Sequence, residues 1–192
     1  QMDILMIGAM LDPTQTGLYG AATRIANLAT FVLTAVNIVL APMISAHYAQ
    51  QDFTALQALL RRGALIIFGG TAAIATAIGL LAPALLWLFG PEFVQAQWAL
   101  IILMIGQVCN ALAGPVGYLM AMSGHHRQAA TILLATVIAN AALNYVLIIY
   151  AGIEGAAIAT AIATILWNAA MLAYVLKVLK LNPTIVPFRL RS

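Results

Sequence analysis

Charge is scarce in this sequence. Lys, Arg, Asp and Glu make up 7% of 192 residues and 64% are hydrophobic, whereas about a quarter of a soluble domain is charged. A fold with an ordinary water-facing surface is therefore excluded. The acids number only five, and they stand in separate segments, so no carboxylate pair is available for acid–base work. Histidine is nearly absent too. His125 and His126 adjoin each other with no third ligand at metal spacing, which predicts no metal site. Neither HExxH, GxSxG nor a Walker A loop occurs, so no enzyme chemistry and no cofactor are expected. The one cysteine, Cys109, excludes an internal disulfide and reads as a small core residue.

Long apolar runs are what the sequence does have. Runs 17–44, 63–89, 96–122, 128–150 and 153–176 can each cross a bilayer, which takes roughly 20 residues. Run 2–11 is too short. It opens on Gln1 with no basic flank or cleavage site, and reads as the outer half of a truncated span rather than a signal peptide. The runs neither alternate in polarity nor stop at about ten residues, as barrel strands do. The expected fold is all-α, a polytopic transmembrane helix bundle with no room for a soluble domain.

The charges in the gaps sort by sign, with Asp52 the one acid on the basic side. Gaps 12–16, 90–95 and 151–154 hold Asp12, Glu92 and Glu154. The alternate gaps hold Arg61 and Arg62 (45–62), Arg127 (123–128), and Lys177, Lys180, Arg189 and Arg191 (after 176). Cytoplasmic loops collect Lys and Arg, so the second set is assigned to the cytoplasm. The net charge of +3 suits anionic lipid headgroups and gives no reason to invoke nucleic acid. Within 45–62, Phe53, Leu56, Leu59 and Leu60 recur at helical spacing behind Asp52, a plausible N-cap. This predicts a cytoplasmic surface helix. Residues 177–192 read as a basic cytoplasmic tail broken by Pro183 and Pro187. Pro42 is expected to end a span, and Pro83 and Pro115 lie inside others. Gly114-Pro115-Val116-Gly117 is the predicted hinge.

Polar residues form stripes along four of the spans. Thr23, Asn27, Thr30, Thr34 and Asn37 share one helical face; so do Gln107, Asn110, Gly114 and Gly117; so do Thr136, Asn140 and Asn144; and so do Thr160, Thr164 and Asn168. Helix packing explains such stripes, and a hydrated lumen does too. The span 63–89 has only Thr71 and Thr76 and is expected to face lipid. Asp3 and Arg24 lie eight residues from the ends of an antiparallel hairpin, both roughly 12 Å deep at ~1.5 Å per residue. Charges at that depth face a partner or water. They form either an ion pair locking the hairpin or a lumen-facing pair. The candidate translocation residues are Asp3, Arg24, Asn27, Gln107, Asn110, Asn140 and Asn144, with Gly114, Pro115 and Gly117 as hinge.

Five segments resemble one family in order and spacing. They are DILMIGAMLDPTQTGLYGAATRI (3–25), LAPMISAHYAQQDFTALQALLRR (40–62), LLWLFGPEF (85–93), MAMSGHHRQA (120–129) and NYVLIIYAGIEGAAIATAIATILWN (144–168). Together they look like the C-terminal half of a Wzx-type polysaccharide flippase, from the MOP superfamily that also holds the MATE exporters. The resemblance implies one six-helix lobe of a two-lobe, alternating-access transporter in the bacterial inner membrane, with the N-terminal lobe as partner. It implies a polyprenyl-pyrophosphate-linked oligosaccharide such as an O-antigen precursor as cargo, a proton or sodium ion for coupling, and a cationic cavity. By position, Arg24 would be a cavity cation and Asp3 a cavity acid. A MATE-type drug antiporter is the rival reading within transporters, and a membrane scaffold the rival outside them.

Overall fold

The computed structural model describes residues 2–185, and among these it contains helices and turns with no strand. The helices are α1 (Met2–Met10), α2 (Pro13–Asn27), α3 (Thr30–Ala49), α4 (Phe53–Trp87), α5 (Gln97–Leu112), α6 (Val116–Met122) and α7 (His126–Tyr174). A 3-10 stretch, Pro91–Ala96, precedes α5, and a π turn, Val175–Leu179, comes after α7. Four stretches are long and apolar enough to cross a membrane: Thr30–Ala49, Phe53–Trp87, Pro91–Leu112 and His126–Leu179. The protein is an all-α polytopic bundle.

Three joins shape it. Between α2 and α3, Leu28 and Ala29 donate to the carbonyls three residues back, and Thr30 Oγ1 donates to Asn27 O at 2.7 Å. The chain thus tightens without stopping. Between α5 and α6 the helix breaks, with Gly114 at φ +66° and Pro115 supplying no amide proton. Within α7, Ala151 (φ −138°, ψ 16°) and Gly152 (φ 56°, ψ −132°) leave helical space. Gly155 then lies against the Leu147 carbonyl so closely that a Cβ would collide. The helix has folded back on itself as two antiparallel arms, 126–150 and 153–174. With the kinked pairs counted as single rods, the described chain forms six rods running up and down.

Small residues set the close approaches, as expected where lipid removes the hydrophobic force between helices. A Cβ on Gly106 of α5 would stand 3.2 Å from Ala161 Cα of the second α7 arm. Gly70 of α4 takes Val32 of α3 in the same way. Two apolar clusters stack along the bundle axis. Ile7, Leu18, Tyr19, Leu86, Leu100 and Ile153 mark one, at the end holding Asp12, Glu92 and Glu154. Leu40, Ile44, Leu56, Leu60, Leu119 and Met171 mark the other, at the end holding Arg61, Arg62 and Arg127.

Two expectations change. The helix over 53–62 forms, and Asp52 Oδ1 caps it by accepting from Ala55 N at 3.0 Å. It is continuous with the next span, because nothing after Asp52 breaks the 35 residues of α4. Nor is 63–89 the rod turned most toward lipid. It buries a stripe of Gly63, Ala64, Ile67, Thr71, Ala75, Ile78 and Ala82. The first α7 arm instead exposes Leu133, Leu134, Val137, Ile138, Val146 and Ile149. Few polar residues told little about burial, since small apolar residues pack as well as polar ones. Pro42 and Pro83 sit inside unbroken helices. Gln1 and residues 186–192, with Pro187, Arg189 and Arg191, lie outside the described residues.

Candidate functional site

A cavity of about 500 Å³ opens along one face of α2. Thr16, Gly17, Gly20, Thr23, Arg24 and Asn27 line it, spaced to share that face, with Ile4, Phe89 and Phe93 opposite. Asp12 starts the helix correctly for this, its Oδ1 accepting from Gln15 N at 2.8 Å ahead of Pro13 at the first turn. A Cβ on Gly17 or Gly20 would meet nothing within 4 Å, so the two glycines keep the wall open rather than admit a neighbouring helix. Thr23 Oγ1 donates to Tyr19 O at 2.7 Å and is satisfied within its own helix. Arg24 is exposed to the cavity, and no carboxylate partners it among the described residues. A guanidinium without a carboxylate partner attracts an anion and can grip two of its oxygens at once.

Asp3 stands behind this wall rather than in it. It is buried, and its Oδ2 accepts from the Tyr19 hydroxyl at 2.8 Å. Tyr19 is fully buried, and its hydroxyl lies 3.5 Å from Thr160 Oγ1 on the second α7 arm. The group ties α1, α2 and α7 together. Of the two arrangements the sequence allowed, the Asp3–Arg24 ion pair does not form, and of the lumen-facing pair only Arg24 lines the cavity. The hairpin turns at Leu11–Asp12 and α2 begins at Pro13, not near residue 16. Asp3 stands seven residues before the end of α1 and Arg24 eleven into α2, so Arg24 is ~6 Å deeper. Tyr19, at the matching level, is the residue that sequence reasoning missed. Its distance from the turn was the available signal.

The remaining candidates fall into two groups. Asn168 Nδ2 donates to Asn110 Oδ1 at 2.8 Å across the α5–α7 contact, and Asn110 Nδ2 reaches Gln107 Oε1 at 3.4 Å. Asn110 also lines a second, mostly apolar cavity of about 400 Å³ with Asn37, Gly114, Pro115, Gly117 and Trp167. Asn37 is almost fully buried there, and its Oδ1 has no hydrogen-bond partner. Asn140 and Asn144 are apart from both cavities. Asn144 Nδ2 donates to Asn140 Oδ1 and O, each at 3.0 Å. The polar stripes are thus largely satisfied along their own helices, as Thr136 to Ile132 O and Thr164 to Thr160 O also are. Among the described residues, the Asn168–Asn110 bond is the one that joins two of these stripes.

The MatE family model matches residues 1–146, the greater part of the chain, including the α1–α2 hairpin and the α5–α6 break. The chain belongs to the MatE family, membrane transporters of the MOP superfamily. No curated protein and no solved structure matches it.

Proposed function

We propose that this chain is one lobe of an alternating-access flippase that carries a polyprenyl-pyrophosphate-linked oligosaccharide across the bacterial cytoplasmic membrane. The carrying observation is Arg24, exposed in the α2 cavity without a carboxylate partner among the described residues. Among the described residues, Arg24 is the one Lys or Arg that lines either of these cavities, so it is the cation placed to neutralise an anionic headgroup. The cavity takes the headgroup and sugars while the lipid tail remains in the bilayer. The partner lobe supplies the rest of the cationic surface, and a proton or sodium ion couples the cycle. A second reading, a MATE-type exporter of cationic drugs, is favoured by the buried Asp3–Tyr19–Thr160 group, since an acid rather than a base is what a cationic cargo or a coupling ion needs.

The test is flipping of a fluorescent lipid-linked oligosaccharide by the full-length protein in liposomes. Arg24→Ala is expected to lower flipping at least tenfold with membrane level unchanged. Arg24→Lys is expected to recover part of it, keeping the charge and losing the two-pronged geometry. Full activity in Arg24→Ala, or in the double variant Asp3→Asn with Arg24→Gln, would refute the reading. Drug efflux that survives Arg24→Ala and fails in Asp3→Asn would establish the second.

A further inference from the structure

We propose that the segment Leu181–Thr184 is a latch that holds the α5–α6 break in its bent state and must release for the bundle to change conformation. The sequence suggested a basic cytoplasmic tail over 177–192. Instead, Lys180 turns into the left-handed region (φ 52°), and the next four residues are buried within the protein.

Two contacts define the docking. Gln57, on the first turns of α4, holds the Asn182 backbone from both sides. Its Nε2 donates to Asn182 O at 2.7 Å, and its Oε1 accepts from Asn182 N at 2.8 Å. A primary amide paired with a peptide group in this way copies a strand pairing, and it satisfies both backbone groups of a residue that no helix satisfies. The Asn182 side chain in turn shapes the rest of the latch, its Oδ1 accepting from Thr184 N at 3.0 Å and Thr184 Oγ1 at 2.8 Å.

The second contact is at the break itself. The Pro183 carbonyl lies where a Cβ on Gly114 would be, with Ala64 Cβ of α4 only 3.1 Å from the same point. The latch is therefore wedged between α4 and the one place where the α5–α6 rod has already lost its helical bonds. Gly114 and Pro115 also line the second cavity, so straightening or further bending there changes that cavity directly. A segment merely anchored to the surface would need neither a paired amide nor a glycine cut to fit its carbonyl. The latch rests on the alternating-access reading above and is independent of the cargo.

The test uses the full-length protein with Cys109→Ala. Gln57→Cys and Asn182→Cys are joined by a short, reducible bis-methanethiosulfonate, which locks the latch. Gly117→Cys reports the second cavity, and there a new Cβ sits at an ordinary 3.8 Å from Met171 and Trp167. Labelling of the uncapped fraction of Gly117→Cys by a hydrophilic maleimide, read on its own peptide by mass spectrometry so that direct reaction of the reporter with the cross-linker is scored apart, is expected to slow at least fivefold on locking and to recover with reductant. Equal labelling in fully locked and reduced protein overturns the latch. If the triple variant does not fold, Thr184→Cys serves alone: Gln57→Leu is expected to raise its labelling at least fivefold, and an unchanged rate overturns the proposal. Oligosaccharide flipping is read separately. Locking that changes Gly117→Cys labelling, in a protein that moves no lipid-linked oligosaccharide even when unlocked, leaves the latch standing and removes the flippase.

Discussion

Asp3 and Arg24 were legible as unusual residues from composition alone, because a charge inside a span is costly and usually functional. What could not be read was their relation. A shift of three residues in where α2 begins moved Arg24 to another level and left Tyr19 facing the acid. Residue chemistry was visible, whereas register depended on Asp12 and Pro13 starting the helix early. The Tyr19 hydroxyl is now the more informative target for stability. Tyr19→Phe keeps the ring and deletes the donor, so a buried carboxylate oxygen loses that hydrogen bond. A hydrogen bond to a charged group contributes about 1.5–3 kcal/mol. Unfolding in mixed micelles should show a loss of that order for Tyr19→Phe, and a much smaller loss when Asp3→Ala, which leaves no acceptor, is already present, because the two share one interaction. Equal losses in both backgrounds would mean that the bond seen between them contributes nothing.

At the scale of elements, the sequence showed which segments are helical far better than where they bend. Of Pro42, Pro83 and Pro115, the three prolines the sequence places at or inside spans away from the acidic turns, only Pro115 accompanies a break. Pro42 and Pro83 are absorbed by α3 and α4, as is common where neighbouring helices supply the lost contacts. The difference is Gly114, whose φ of +66° ends α5 before the proline is reached. The tightening at Leu28–Ala29 carries no glycine or proline and so gave no warning. It comes from Thr30 competing for the Asn27 carbonyl. The α7 fold-back was legible as a gap holding Glu154, though the turn takes only Ala151 and Gly152. A paired substitution separates backbone strain from docking. Gly124 also has a positive φ, +84°, but nothing lies within 4 Å of its would-be Cβ. Gly124→Ala should then cost only the conformational term, about 1–2 kcal/mol. Gly114→Ala adds a collision with the Pro183 carbonyl and should lower the melting temperature in detergent well beyond Gly124→Ala. Similar shifts for the two would show that nothing packs against Gly114.

Over the whole molecule, the alternation of charge along the chain becomes a separation in space. The six rods run up and down, so Asp12, Glu92 and Glu154 gather at one end and Arg61, Arg62, Arg127, Lys177 and Lys180 at the other. Exposed Trp87, Trp98 and Tyr150 ring the acidic end, where amphipathic aromatic residues favour a membrane–water boundary. The length of α4 fits the same frame. Its 35 residues run to ~53 Å at ~1.5 Å each, against a hydrocarbon core of about 30 Å, so one end projects, and Arg61 and Arg62 lie near the start of the helix rather than its middle. Since cytoplasmic loops retain Lys and Arg, the basic end should face the cytoplasm and Arg24 should be approached from the outer side, where Phe89 and Phe93 border its cavity. Single cysteines in a Cys109→Ala background can check this in spheroplasts. The exposed positions Gln50 and Gln128 sit at the basic end and Gln95 at the acidic end. An impermeant maleimide should label Gln95→Cys in intact spheroplasts and reach Gln50→Cys and Gln128→Cys only after permeabilisation. Labelling of Gln50→Cys or Gln128→Cys from outside would invert the bundle, and with it the side from which the Arg24 cavity is entered.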